Sequence, residues 1–85
     1  MLGGALTTAE DYPAAITTYN DAVQPGFWIT GSWSDAPSAD SGCMFVLKRN
    51  TVVYQLWFAA SNNQAFYRRK DITETWKAWV KFIGL

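Results

Sequence analysis

Strand-like segments follow one another from residue 43 onward with only turn signals between them. That commits this part of the chain to an antiparallel meander. Cys43–Lys48 is apolar on both faces, as a central strand is. Arg49-Asn50 turns the chain, and Thr51–Ala60 returns with Val52, Tyr54, Leu56 and Phe58 on one face and Val53, Gln55 and Trp57 on the other. Ser61-Asn62-Asn63 makes the next turn, because Asn tolerates the left-handed region, and Ala65–Lys70 runs back again. Upstream, Gln24-Pro25-Gly26 places Pro and Gly where a turn needs them, with Gly supplying positive φ, and Phe27-Trp28-Ile29-Thr30 follows as a short strand.

The segment Thr75–Phe82 closes the pattern. Alternation puts Trp76, Ala78, Val80 and Phe82 on a core-facing side and Lys77, Trp79 and Lys81 on the other, leaving a large ring framed by two cations. A helix competes for the same residues, since Asp71-Ile72-Thr73-Glu74 matches a capping box and Trp76, Trp79, Val80 and Ile83 fit helical spacing. The strand is preferred, because the preceding strands need a partner. The expected fold is therefore mainly β, a single small domain over residues 9–85. Its antiparallel meander has about five strands, near 27–30, 43–48, 52–60, 64–70 and 76–82. Residues 1–8 read as an uncharged, Gly-bearing tether. Asp11-Tyr12-Pro13 and Ala14-Ala15-Ile16 permit a short helical turn that Thr17, Thr18 and Tyr19 keep from growing. Residues 31–42 form a long polar loop, of the kind that more often carries function than decoration.

A chain of 85 residues has a thin core, yet 16% of this one is aromatic. Rings in excess of the available interior are expected at the surface, and hence at an interface, which argues for self-association. Charge is lopsided: residues 1–47 hold five acids and no Lys or Arg, whereas residues 48–85 hold all seven bases against Asp71 and Glu74, so the halves carry −5 and +5. With no net excess, nucleic acid is not an expected partner. Cys43 stands alone and reads as a small buried thiol. Neither a cleavable signal nor a stretch of transmembrane length is visible, so a soluble chain without membrane insertion is expected.

Catalytic groups are scarce. There is no histidine, and one cysteine cannot build the usual zinc sites. No phosphate loop or nucleophile elbow occurs. Asp35 and Asp40 in the long loop read as solvated turn residues rather than a glycosidase pair. The expectation is a protein that is not an enzyme and uses no cofactor or metal.

Surface aromatics are the stronger signal. Trp28 shares a face with Thr30 and Trp57 with Gln55, so each is open to burial, subunit packing or ligand contact. Trp33 in the long loop and Trp79 between lysines are the candidates for ligand or partner contact. Arg68 and Lys70 share a face and Arg69 takes the other. The guanidinium groups of Arg68 and Arg69 suit carboxylates and phosphates of acidic glycans, although pairing with the acidic half of the chain is the preferred reading.

Tyr19-Asn20-Asp21-Ala22-Val23-Gln24-Pro25-Gly26-Phe27-Trp28, the Ser/Pro loop, Ala65-Phe66-Tyr67-Arg68-Arg69 and Thr75-Trp76-Lys77-Ala78-Trp79-Val80-Lys81 together resemble the knob domain of R-type pyocin and phage tail fibres, over roughly residues 17–83. The resemblance implies a mostly antiparallel β module at the end of a longer fibre, trimeric about the fibre axis. Such a module is carried on a virion or phage-tail-like particle and engages bacterial surface polysaccharide or lipopolysaccharide. Arg68 then corresponds to the family's strand Arg, and Trp76 and Trp79 to its closing tryptophans. Two other roles stay open: a structural or trimerisation domain of a fibre without receptor contact, and a carbohydrate-binding module of a secreted protein.

Overall fold

From residue 26 onward, every strand pairs with the next one along the chain. The computed structural model describes residues 8–82, so the expected tether at 1–8 lies, Thr8 apart, outside the described residues. The strands are β1 (Glu10–Asp11), β2 (Gly26–Thr30), β3 (Gly42–Arg49), β4 (Val52–Ala59), β5 (Ala65–Asp71) and β6 (Val80–Lys81), with a 3-10 turn at Tyr19–Asp21 between β1 and β2. They form one six-stranded sheet in sequential order, antiparallel throughout except that β1 runs parallel to β2. The mainly β class and the meander are as the sequence indicates. Short turns join β3 to β4 and β4 to β5: Asn50, at φ 52, reverses the chain between the first two. Gly26 enters β2 at φ 150, where a Cβ would also stand 2.7 Å from the Trp28 ring.

The two faces of the sheet differ in cover. On the inner face lie Trp28, Thr30, Met44, Val46, Val53, Gln55, Trp57 and Arg68, all buried. They are roofed by residues 12–24, the loop after β2 and the segment after β5, which contribute Tyr12, Tyr19, Ala22, Trp33, Trp76 and Trp79. Trp57 and Tyr19 are fully buried, each worth roughly 1.5–3 kcal/mol from apolar burial alone. Among the roof contacts, the Tyr12 and Trp28 rings meet edge to face at 4.7 Å. The outer face carries Ile29, Leu47, Phe58, Tyr67 and Val80, exposed, beside half-buried Phe27, Phe45, Tyr54 and Leu56.

Two local expectations are corrected, those for the last strand and for Cys43. The last strand is two residues long, not seven, because Trp76–Trp79 leaves regular pairing. Lys77 N–H bonds to Arg69 O while Val80 registers with Tyr67, so Ala78 and Trp79 together stand opposite Arg68. That one extra residue is a bulge, and it breaks the alternation that put Trp76 and Trp79 on opposite faces. In consequence Val80 and Ala78 are exposed rather than core. Of the readings open for Trp28 and Trp57, burial within the fold is the one found. Cys43 is a free thiol on the outer face, half-buried rather than enclosed. The short N-terminal helical turn is present as the 3-10 turn Tyr19–Asp21, and upstream of it a single turn closes through Ile16 N–H to Pro13 O.

Candidate functional site

Arg68 is a buried cation in the middle of β5, held by its cross-strand neighbour. Its Nε donates to Gln55 Oε1 at 2.8 Å, and Gln55 Nε2 donates in turn to the carbonyls of Tyr19 and Ala22 at 2.7 and 2.8 Å. This chain of contacts pins the 3-10 turn to the sheet. The guanidinium lies between two indoles, 4.2 Å from the Trp76 centroid and 4.3 Å from that of Trp79. Lys70 Nζ adds a second cation over Trp76 at 5.3 Å. Arg68 Nη2 is buried without an acceptor among the described residues. Burial pushes the guanidinium down to about 10, with Asp35 acting the other way, so Arg68 keeps its charge at neutral pH.

The two indoles are fixed at their edges as well. Trp76 Nε1 donates to Asn20 O at 3.1 Å and Trp79 Nε1 to Asp35 O at 3.3 Å. The Asp35 carboxylate itself accepts the backbone N–H groups of Tyr19 and Asn20, both at 2.9 Å. Asp40 accepts from the Ser61 hydroxyl, Ser61 N–H and Asn62 Nδ2. Both loop carboxylates therefore tie segments together.

Beside this stack runs an open groove of about 610 Å³, walled by Trp76 and Trp79 and edged by Asn20, Asp21, Lys70 and Glu74. It combines indole surface with an amide, carboxylates and an ammonium. Such a lining can take the C–H face of a ring while bonding its hydroxyl groups in both directions.

Of the residues singled out in the sequence, the structure brings Arg68 and Trp79 together in this groove. Arg69 lies on the outer face and is exposed. Trp33 packs, half-buried, against Tyr12 at 6.0 Å and Tyr19 at 4.6 Å, while Trp79 meets Tyr19 at 6.0 Å, so both tryptophans pack on Tyr19. Alternation places Trp76 on the core-facing side, and Asn20, Asp21, Lys70 and Glu74 carry no signal as a group. Only the three-residue spacing of Trp76 and Trp79 hinted that both rings belong to one surface. The preferred pairing of basic and acidic halves is not made through contact ion pairs. Among the described residues the one salt bridge is Lys77–Glu74 at 3.8 Å, within the basic half.

No protein-family model, curated protein or solved structure matches the chain.

Proposed function

We propose that this chain is a binding module for bacterial surface glycan, of the kind carried in several copies, as a homotrimer, on the tail fibre of a phage or phage-derived particle. The observation that carries the reading is the groove of Trp76 and Trp79 with its mixed polar edge. Indoles take the apolar face of a pyranose, and the neighbouring amide, carboxylates and ammonium supply the acceptors and donors that a polyhydroxyl ligand needs. The site has moved relative to the sequence reading: Trp76 replaces Trp33, and Arg68 acts as the post between the rings rather than as a free hand for an acid.

An open groove buries little of any ligand, so single-site affinity falls at roughly millimolar to high micromolar, and multiple copies raise it by on the order of 10²-fold. The test is adsorption of the protein to host cells or purified envelope polysaccharide, compared with Asp21→Ala and Glu74→Ala. Both groove-edge residues are exposed, which keeps folding out of the comparison. Weaker adsorption by these variants supports the reading. No adsorption by the unaltered protein to its host favours the structural role of a fibre domain, for which the apolar outer face of the sheet is the supporting feature.

A further inference from the structure

We propose that the glycan taken by the groove is acidic, with a carboxylate or phosphate of one of its sugars held where Lys70 and Arg68 line it. This rests on the groove reading above and deepens it by naming the ligand's charge.

Five charged side chains line the groove: Asp21, Arg68, Lys70, Glu74 and Lys77. Lys77 and Glu74 answer each other at 3.8 Å. Asp21 accepts the Thr18 hydroxyl at 2.9 Å. Arg68 and Lys70 meet no carboxylate among the described residues, so the lining keeps an excess of positive charge.

Arg68 is the member that points to a ligand. It lines the groove yet is only 6% exposed, and its Nη2 has no acceptor among the described residues. Asp35, the acid whose field reaches it, makes no contact ion pair with it and holds the N–H groups of Tyr19 and Asn20 instead. A cation withdrawn from water without a contacting carboxylate is costly, and the two flanking indoles answer it only in part. An anion in the groove adds the missing opposite charge, across a floor where screening by water is weak.

Arg68 stays fixed between its rings, so contact falls to Lys70. This side chain is half-buried, with Nζ 5.3 Å from the Trp76 centroid. A sugar packed against Trp76 therefore has an acidic substituent within reach of the ammonium. The same inner-face row carries Lys48 two strands away, across Val53, and no acid. Asp21 and Glu74 then accept from hydroxyl groups. A direct hydrogen bond outweighs screened repulsion between exposed charges further apart, so removing either acid still weakens binding.

The test is titration of the full chain with methyl glucuronide, glucose 6-phosphate and methyl glucoside, read at the Trp76 and Trp79 indole N–H signals. Either acid should bind about tenfold more tightly than the neutral sugar, and that preference should fade as NaCl rises from about 20 to about 500 mM. Lys70→Gln should remove it. Arg69→Gln, the same loss of charge on the outer face, should leave it in place. Equal binding of all three sugars overturns this inference and leaves the groove reading standing. A preference that survives Lys70→Gln, or is lost equally in Arg69→Gln, also overturns it, because the acid would then be held elsewhere. No movement with any of the three up to about 50 mM takes the groove reading down with it.

Discussion

The indole N–H of Trp57 donates to the hydroxyl of Tyr19 across 2.7 Å, joining residues 38 apart in the chain. The Tyr19 hydroxyl in turn donates to Thr30 Oγ1 at 2.6 Å, and Thr30 donates to Gly42 O at 3.1 Å. Burial raises the pKa of the phenol, which therefore stays protonated and fills both roles. Tyr19→Phe strands a buried indole N–H and is expected to cost about 1–3 kcal/mol. Tyr12→Phe should cost less, since its hydroxyl accepts only the Gln24 N–H in a part-buried place. Urea unfolding of the two variants decides it; equal losses would mean that the Trp57 indole finds another acceptor.

Gly42 is a second fixed point. A Cβ there would stand 2.5 Å from Phe58 O and 2.6 Å from Trp57 Nε1, neither of which can move cheaply. Gly42→Ala is expected to cost about 1–3 kcal/mol through overpacking. Gly31→Ala, whose Cβ would meet Trp33 Nε1 at 3.2 Å, should cost distinctly less in a thermal melt.

The strands were legible because short turns leave an antiparallel meander few alternatives. Their inner face was not. In β4 both faces are apolar enough for a core, and the buried one carries Gln55, whose neighbour across the sheet is Arg68. Polar residues at these positions read as surface. Gln55 is interior because its amide reaches the carbonyls of Tyr19 and Ala22 in a distant segment, and Arg68 because Gln55 and two indoles hold it, and sequence distance hides that. Alternation failed at Trp76–Trp79 for a local reason. A bulge shifts the period by one residue, and nothing in Thr75-Trp76-Lys77-Ala78-Trp79 announces it. What packs on Trp33 was also hidden: residues 12–19 fold over the sheet and bring Tyr12 and Tyr19 against its ring.

The bulge reverses an expectation about the closing tryptophans. Alternation would make Trp76→Ala the more damaging change. In the structure both rings flank Arg68, but only Trp79 also packs edge to face on buried Tyr19, with an interplanar angle of 88°. Trp79→Ala is expected to lower stability at least as much as Trp76→Ala. Each loss should stay below the roughly 3–5 kcal/mol of a fully buried large aromatic, because both rings are half-buried. A larger loss for Trp76→Ala in thermal melts contradicts the bulge.

Acid should act on the loops first. Hydrogen bonds from Ser61 hold the Asp40 carboxyl below its ordinary value, and the Thr73 N–H does the same, ahead of other contacts, for Asp71. A folded-state pKa below that of the unfolded chain gives stability that is complete above the ordinary value and is lost as pH falls through the depressed one. Melting temperature is therefore expected to be flat on this account from neutrality to about pH 4 and to decline below it. Asp40→Asn should shallow that decline. An unchanged acid limb in the variant would mean that these contacts do not form in solution.

Glycan binding at the groove is tested most directly by following the indole N–H resonances of Trp76 and Trp79 by NMR during titration with envelope oligosaccharide from the host. The expected result is saturable movement of these two signals, with those of the buried Trp28 and Trp57 left in place. No movement up to about 10 mM ligand, well past the weak affinity expected of an open groove, would contradict the account. So would shifts led by Trp33, since that residue does not line the groove.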